Sequence, residues 1–188
     1  MTNPYILPPN LPRPIDDGAC DHLIGMPMPN ITLPSTADRD VDLGALPAGR
    51  TVIYCYPRIG RPGEQMPDRW DEIPGARGCT PQSCSFRDHH RELADLGAGV
   101  FGLSTQSAAE QHEVAERLHL PFELLSDAEL RLARALRLPT FEAGGLTLIK
   151  RLTLIIRDGV IENVLYPVFP PDASAIEVLD WLRSQRRG

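Results

Sequence analysis

Nowhere in the 188 residues is there an apolar run approaching the ~20 side chains that a helix needs to cross a bilayer. Basic charge is scarce as well: 19 Lys and Arg stand against 25 Asp and Glu, a net charge of -6. Binding to phosphate backbones needs a concentrated positive surface, so nucleic acid is excluded as an expected partner. The one basic cluster, "RSQRRG" at the end of the chain, reads as a solvated helix end. The opening "MTNPYILPPNLPRPIDD" has no basic stretch leading into an apolar segment, so no secretory leader is expected and the cytoplasm is the expected location. Cysteine is sparse too. Four in a chain of this length do not resemble the disulfide framework of a small secreted domain, and in a reducing compartment closely spaced cysteines serve catalysis or metal binding. Internal repeats and glycine-rich phosphate loops are also missing. What remains, 42% apolar and 23% charged residues, is ordinary for one globular domain with a single core.

The chain begins with a proline-rich arm, residues 1–30, expected to lie on or trail from a domain spanning 31–188. "ITLPSTADRDVDL" alternates around turn residues, as a hairpin or a pair of edge strands would. "TVIYCY" (51–56) is a continuous β-branched and aromatic run, the pattern of a central strand buried on both faces. Residues 58–78 are too rich in Pro and Gly for regular structure and too long for an ordinary connection. A helix is then predicted with Thr80 as N-cap and Pro81 in first position, running past Leu93 to stop at Gly97. "GVFGLST" and "PFELLSD" read as strands, "SAAEQHEVAERLHL" and "DAELRLARALRL" as helices, the latter starting at Asp127. Residues 146–167 read as two strands about an Asp158-Gly159 turn, and "PDASAIEVLDWLRSQ" as a closing helix. Strands alternating with helices and ending in a hairpin and helix resemble the thioredoxin fold: an α/β, three-layer arrangement with a central mixed β-sheet flanked by helices, here with an N-terminal extension.

In that arrangement the chemistry sits where the first central strand feeds its helix, and this junction carries "RGCTPQSC" (77–84). A thiolate at the start of a helix faces unpaired backbone N–H groups and the positive end of the helix dipole, which favours the reactive form. Cys84 lies five residues after Cys79, which on one helix separates the Cα atoms by roughly 8–9 Å. A disulfide needs less than about 7 Å. A permanent staple is therefore disfavoured, whereas a cycle in which oxidised Cys79 waits for local unwinding to deliver Cys84 suits the spacing. Cys84 as a small buried hydrophobe is the competing reading. A metal site built from Cys79, Cys84, His89 and His90 lacks the shorter spacing of zinc sites, so no metal is expected. Cys55 reads as inert core and Cys20 as an exposed bystander.

"YCYPRIGRPG", "GCTPQSCSFRDHHREL", "VFGLSTQS", "LLSDAEL" and "RLTLIIRDGVI" together resemble the successive blocks of a peroxiredoxin, and most of all the bacterioferritin comigratory protein or Q-type group, over roughly residues 25–185. The resemblance implies a cysteine-dependent peroxidase that reduces hydrogen peroxide or organic hydroperoxides. It implies that Cys79 is the peroxidatic cysteine, that Cys84 resolves its sulfenic acid into an intramolecular disulfide, and that Arg151 holds the thiolate and the peroxide oxygen. It further implies recycling by thioredoxin or a similar dithiol donor, no metal, flavin or haem, no membrane association, and a monomer or homodimer. A thiol-disulfide oxidoreductase would use a shorter Cys-x2-Cys spacing, and a redox sensor on the same scaffold is the non-enzymatic alternative.

Two departures stand out. The group carries Thr or Ser three residues before its peroxidatic cysteine, where this chain has Ala76; Thr80 is the nearest substitute hydroxyl and Arg77 a nearby cation. The insertion at 58–78 separates the proline block from Cys79, and is expected to fold back beside the site or to form a lid or subunit contact anchored by Trp70.

Overall fold

A computed structural model describes Asn3 and residues 5–186; the last two residues of the "RSQRRG" cluster lie outside the described residues. At the centre, β3 (Arg50–Cys55) pairs in parallel with β4 (Ala98–Ser104), which pairs in parallel with β5 (Leu124–Ser126). On its other side β3 meets β8 (Leu152–Arg157) antiparallel, and β8 meets β9 (Val160–Leu165) through the Asp158-Gly159 turn. The mixed sheet thus runs β5-β4-β3-β8-β9, the thioredoxin-like α/β arrangement.

Period-two alternation along β3 sorts its side chains between two cores. Val52 and Tyr54 face one side, with Phe86, Val114, Val178 and Leu182 from α1 (Cys79–Asp88), α3 (Ala108–Arg117) and α5 (Ser174–Gln185). Leu93 of α2 (His90–Asp95) joins the same cluster. Ile53 and Cys55 face the other side, against Leu132 and Leu136 of α4 (Arg131–Leu136) and Leu33 and Val41 of the hairpin formed by β1 (Thr32–Pro34) and β2 (Asp40–Asp42). Because both faces are covered, β3 reads in sequence as one unbroken apolar run.

Several boundaries depart from expectation. The helix begins at Cys79 itself, capped by Gly78 at φ 106, so Thr80 and Pro81 fall within the first turn, where a missing N–H costs nothing. It breaks at His89 (φ -103), and α2 is a separate segment. Asp127 lies before α4 rather than at its start, yet its carboxylate accepts from the N–H groups of Leu132 (3.0 Å) and Ala133 (2.8 Å) and serves that helix end. The expected strand at the beginning of 146–167 is two. β7 (Leu146–Ile149) leaves the main sheet and pairs with β6 (Thr140–Ala143) through Gly144 and Gly145, both at positive φ. The early residues lie on the domain: Cys20, Leu23 and Met28 are buried in the cluster that holds Ile53 and Cys55, and Pro27 bridges Val160 on β9. Cys20, expected to be exposed, is 5% exposed. At the far end Arg183 pairs with Glu92 (2.8 Å) and Arg186 donates to the Asp95 carbonyl (2.9 Å), which ties α5 to α2.

Candidate active site

Docking of α1 against β3 fixes where Cys79 sits. Tyr54 stacks on Phe86 at 4.3 Å between ring centroids and donates to Ser83 Oγ at 3.1 Å, so the helix is held by a ring and a hydroxyl inside the core. Gly78 is required immediately before it. The left-handed φ is one reason; the other is that a Cβ there would come within 2.6 Å of Pro171 and 2.9 Å of Leu7.

Cys79 is 4% exposed. Its Sγ lies 3.2 Å from the Arg151 guanidinium and 3.5 Å from the Ala76 carbonyl, to which the thiol donates. Arg151, in the short link between β7 and β8, is itself 3% exposed. The amino group that meets the sulfur also lies 3.2, 3.1 and 3.2 Å from the carbonyls of Gly75, Ala76 and Arg77. Two N–H bonds shared among three carbonyls and a sulfur fasten the segment before the helix to the cation. Its other amino group donates to Gln82 Oε1 on the next turn of α1, and Gln82 in turn donates to Ser174 Oγ at 3.3 Å. A buried guanidinium beside a sulfur is chemically informative, because taking a cation out of water is costly and its attraction for a thiolate offsets that cost.

Neither Gln82 nor Ser174 stands out as a site residue in the sequence. Gln82 carried a faint signal, being three residues after Cys79 and so on the same helix face; Ser174 carried none. Cys84, on α1, is part-exposed and packs against the cluster containing Phe86. Burial pushes its thiol upward, partly offset by Arg87. Cys79 and Cys84 are both free thiols on one continuous helix, the arrangement in which closure needs local unwinding.

Position 76 explains itself in packing terms. The Ala76 methyl is buried in a small separate core with Trp70, Ala143 and Leu148, and its carbonyl faces the sulfur. Trp70 therefore anchors the insertion onto the β6–β7 hairpin, with Phe141 at 6.2 Å between ring centroids. A Cβ on Gly144 would approach Pro67 to 3.1 Å, so the hairpin turn and the insertion touch backbone to ring. Gln106 pins the start of the insertion by exchanging hydrogen bonds with Ile59 at 2.8 and 3.0 Å. Arg77 pairs with Asp71 (3.3 Å) and donates to the Asn3 carbonyl (3.1 Å), so its charge is spent on the insertion and the arm. Thr80 lines the same cleft as Cys79. That cleft, of about 900 Å³, is walled by residues 58–66 and 69–72, and Asn3 and Tyr5 lie at its edge.

The redoxin family pattern matches residues 23–179, more than four-fifths of the chain. The chain belongs to the redoxin family, within its peroxiredoxin Q group. The chloroplastic peroxiredoxin Q of Oryza sativa subsp. japonica is 32% identical over 161 residues, covering 85% of this chain and 66% of the rice protein. This peroxiredoxin thus spans just under two thirds of the rice protein's length. Peroxiredoxin Q of Sedum lineare is also 32% identical, over 85% of this chain and 77% of its own. Among solved structures, peroxidoxin BcpB of Mycobacterium tuberculosis superposes with a TM-score of 0.70 at 28% identity, covering 87% of this chain and 98% of that one.

Proposed function

We propose that this peroxiredoxin is a thiol-dependent peroxidase in which Cys79 is the peroxidatic residue, Cys84 the resolving residue and Arg151 the group that stabilises the reacting charge. The observation that carries the reading is the Arg151 guanidinium 3.2 Å from a cysteine sulfur at the first position of a helix. The Cys79 thiolate attacks one oxygen of the hydroperoxide, forming the S–O bond as the O–O bond breaks. Sulfur is oxidised by two electrons to sulfenic acid, and the leaving oxygen takes up a proton and departs as water or an alcohol. Arg151 donates to the sulfur and to the oxygen that gains charge, where a preorganised donor is most effective.

Cys84 then attacks the sulfenic sulfur, forming the disulfide and releasing water. With both residues on α1 this step follows unwinding of the helix start. A dithiol donor of the thioredoxin type returns the disulfide to two thiols, and the helix reforms. Among the described residues no helix is long and apolar enough to cross a membrane; the reading places the enzyme in the cytoplasm, away from membranes and nucleic acid, as a monomer or homodimer with residues 31–188 as its catalytic domain. The test is turnover of hydrogen peroxide with thioredoxin, thioredoxin reductase and NADPH. Sustained peroxide-dependent NADPH oxidation is expected. Cys79 oxidation without turnover would instead favour a redox sensor on this scaffold.

A further inference from the structure

Hydrogen peroxide is little larger than water and needs no cleft, yet about 900 Å³ of open space adjoins Cys79. That is within the range that buries most of a small organic ligand. Its walls come largely from the insertion, and Ile59, Met66 and Trp70 give them an apolar body. Met66 folds its thioether over Gly60, whose Cβ, if present, would meet that sulfur at 2.7 Å. A methionine wall adapts to differently shaped apolar groups.

The charges of the cleft are unequal. Five arginines line it, and four have carboxylate partners: Arg58 with Glu64 (2.6 Å), Arg69 with Glu72 (2.6 Å), Arg77 with Asp71 (3.3 Å) and Arg117 with Glu113 (2.7 Å). Among the described residues Arg61 is the one cation of the cleft with no carboxylate bound to its guanidinium; the neighbouring Glu64 accepts from its backbone N–H (2.8 Å) and turns to Arg58. In a chain of net charge -6, an unpaired arginine on the wall of an apolar cleft is a local attractor for anions.

Resting on the peroxidase reading above, we infer that the cleft selects organic hydroperoxides bearing a carboxylate remote from the reacting oxygens, and that Arg61 is the specificity-determining residue that binds that carboxylate. The peroxide end meets Cys79 and Arg151, the apolar body lies along Met66 and Trp70, and the anionic end reaches Arg61. A fatty-acid hydroperoxide and a short carboxylated alkyl hydroperoxide share this chemistry.

The experiment measures the second-order rate of Cys79 oxidation in single turnover, which needs no reductant. Hydrogen peroxide, a long-chain fatty-acid hydroperoxide and its methyl ester, and a short carboxylated hydroperoxide with its neutral counterpart are compared at low and high salt. The acid is expected to react about fivefold faster than the ester, as one exposed ion pair allows. The ratio is expected to fall towards one in Arg61→Gln and at high salt, and to recover in Arg61→Lys. A preference in both pairs, or in the long pair alone, supports the inference and identifies the source. Equal rates for acid and ester, or a preference that survives Arg61→Gln, overturns it. Should none of these peroxides oxidise Cys79, the peroxidase reading fails and the inference with it, a result distinct from the loss of selectivity alone.

Discussion

Replacing Arg151 by methionine keeps most of the side-chain volume while removing the guanidinium, and the structure sets out two separable consequences. The first is chemical. Arg151 is the cation 3.2 Å from Cys79 Sγ, and losing a preorganised donor of this kind lowers rates by about 10²–10³-fold. The second is structural. The carbonyls of Gly75, Ala76 and Arg77 share the same amino group, and each buried carbonyl left unpaired costs about 1–3 kcal/mol. Relaxation of the segment recovers part of that, so a net loss of about 2–3 kcal/mol corresponds to a fall in Tm of roughly 5–10 °C for a chain of this size. Stopped-flow measurement of Cys79 oxidation by hydrogen peroxide gives the first quantity and a thermal melt the second. Arg151→Lys retains the charge but not the fork, so it should recover some rate while leaving the carbonyls poorly bound. A rate for Arg151→Met within about threefold of the parent, alongside the expected fall in Tm, would reduce Arg151 to a structural brace and refute its role in the chemistry.

Cys84→Ser should leave the first oxidation of Cys79 intact and halt at the sulfenic acid, which excess peroxide carries on to the sulfinic acid; the masses of the products after graded peroxide check this. Native reduced protein treated with iodoacetamide at pH 8 should be labelled at Cys79 and more slowly at Cys84. Cys20, whose thiol is pushed up to about 12 by burial and then by Asp17, and Cys55, which burial pushes higher, should react only after unfolding; peptide mapping of the label gives the order. Trp70→Ala removes the centre of the small core beneath the insertion, where loss of a buried tryptophan costs about 3–5 kcal/mol; proteolysis confined to residues 58–72 would mark local release, and an unchanged pattern would deny Trp70 its anchoring role.

The central strand, the Asp158-Gly159 hairpin and the place of Cys79 at the start of a helix were legible because each rests on local chemistry: a β-branched run, a turn pair and a helix start after glycine. The β6–β7 hairpin was hidden because its pattern runs on into β8, and because it exists to carry the insertion, a contact between segments roughly 70 residues apart. Arg151 is legible only through a family resemblance, since an arginine in a strand link has no periodicity of its own. Gln82, Ser174 and the burial of Cys20 depend on tertiary neighbours and left no local pattern. The Ala76 departure from the group's Thr or Ser was visible; the burial of Ala76 beside Trp70 was not.

The measurement closest to the central claim is intact-mass analysis of the fully reduced protein after one equivalent of hydrogen peroxide, at reaction times from fractions of a second upward. Loss of two hydrogens, mapped by digestion to a disulfide between Cys79 and Cys84 and preceded by a transient gain of one oxygen on Cys79, is the predicted result. A stable single-oxygen adduct with Cys84 still free, or no change on that timescale, would contradict it.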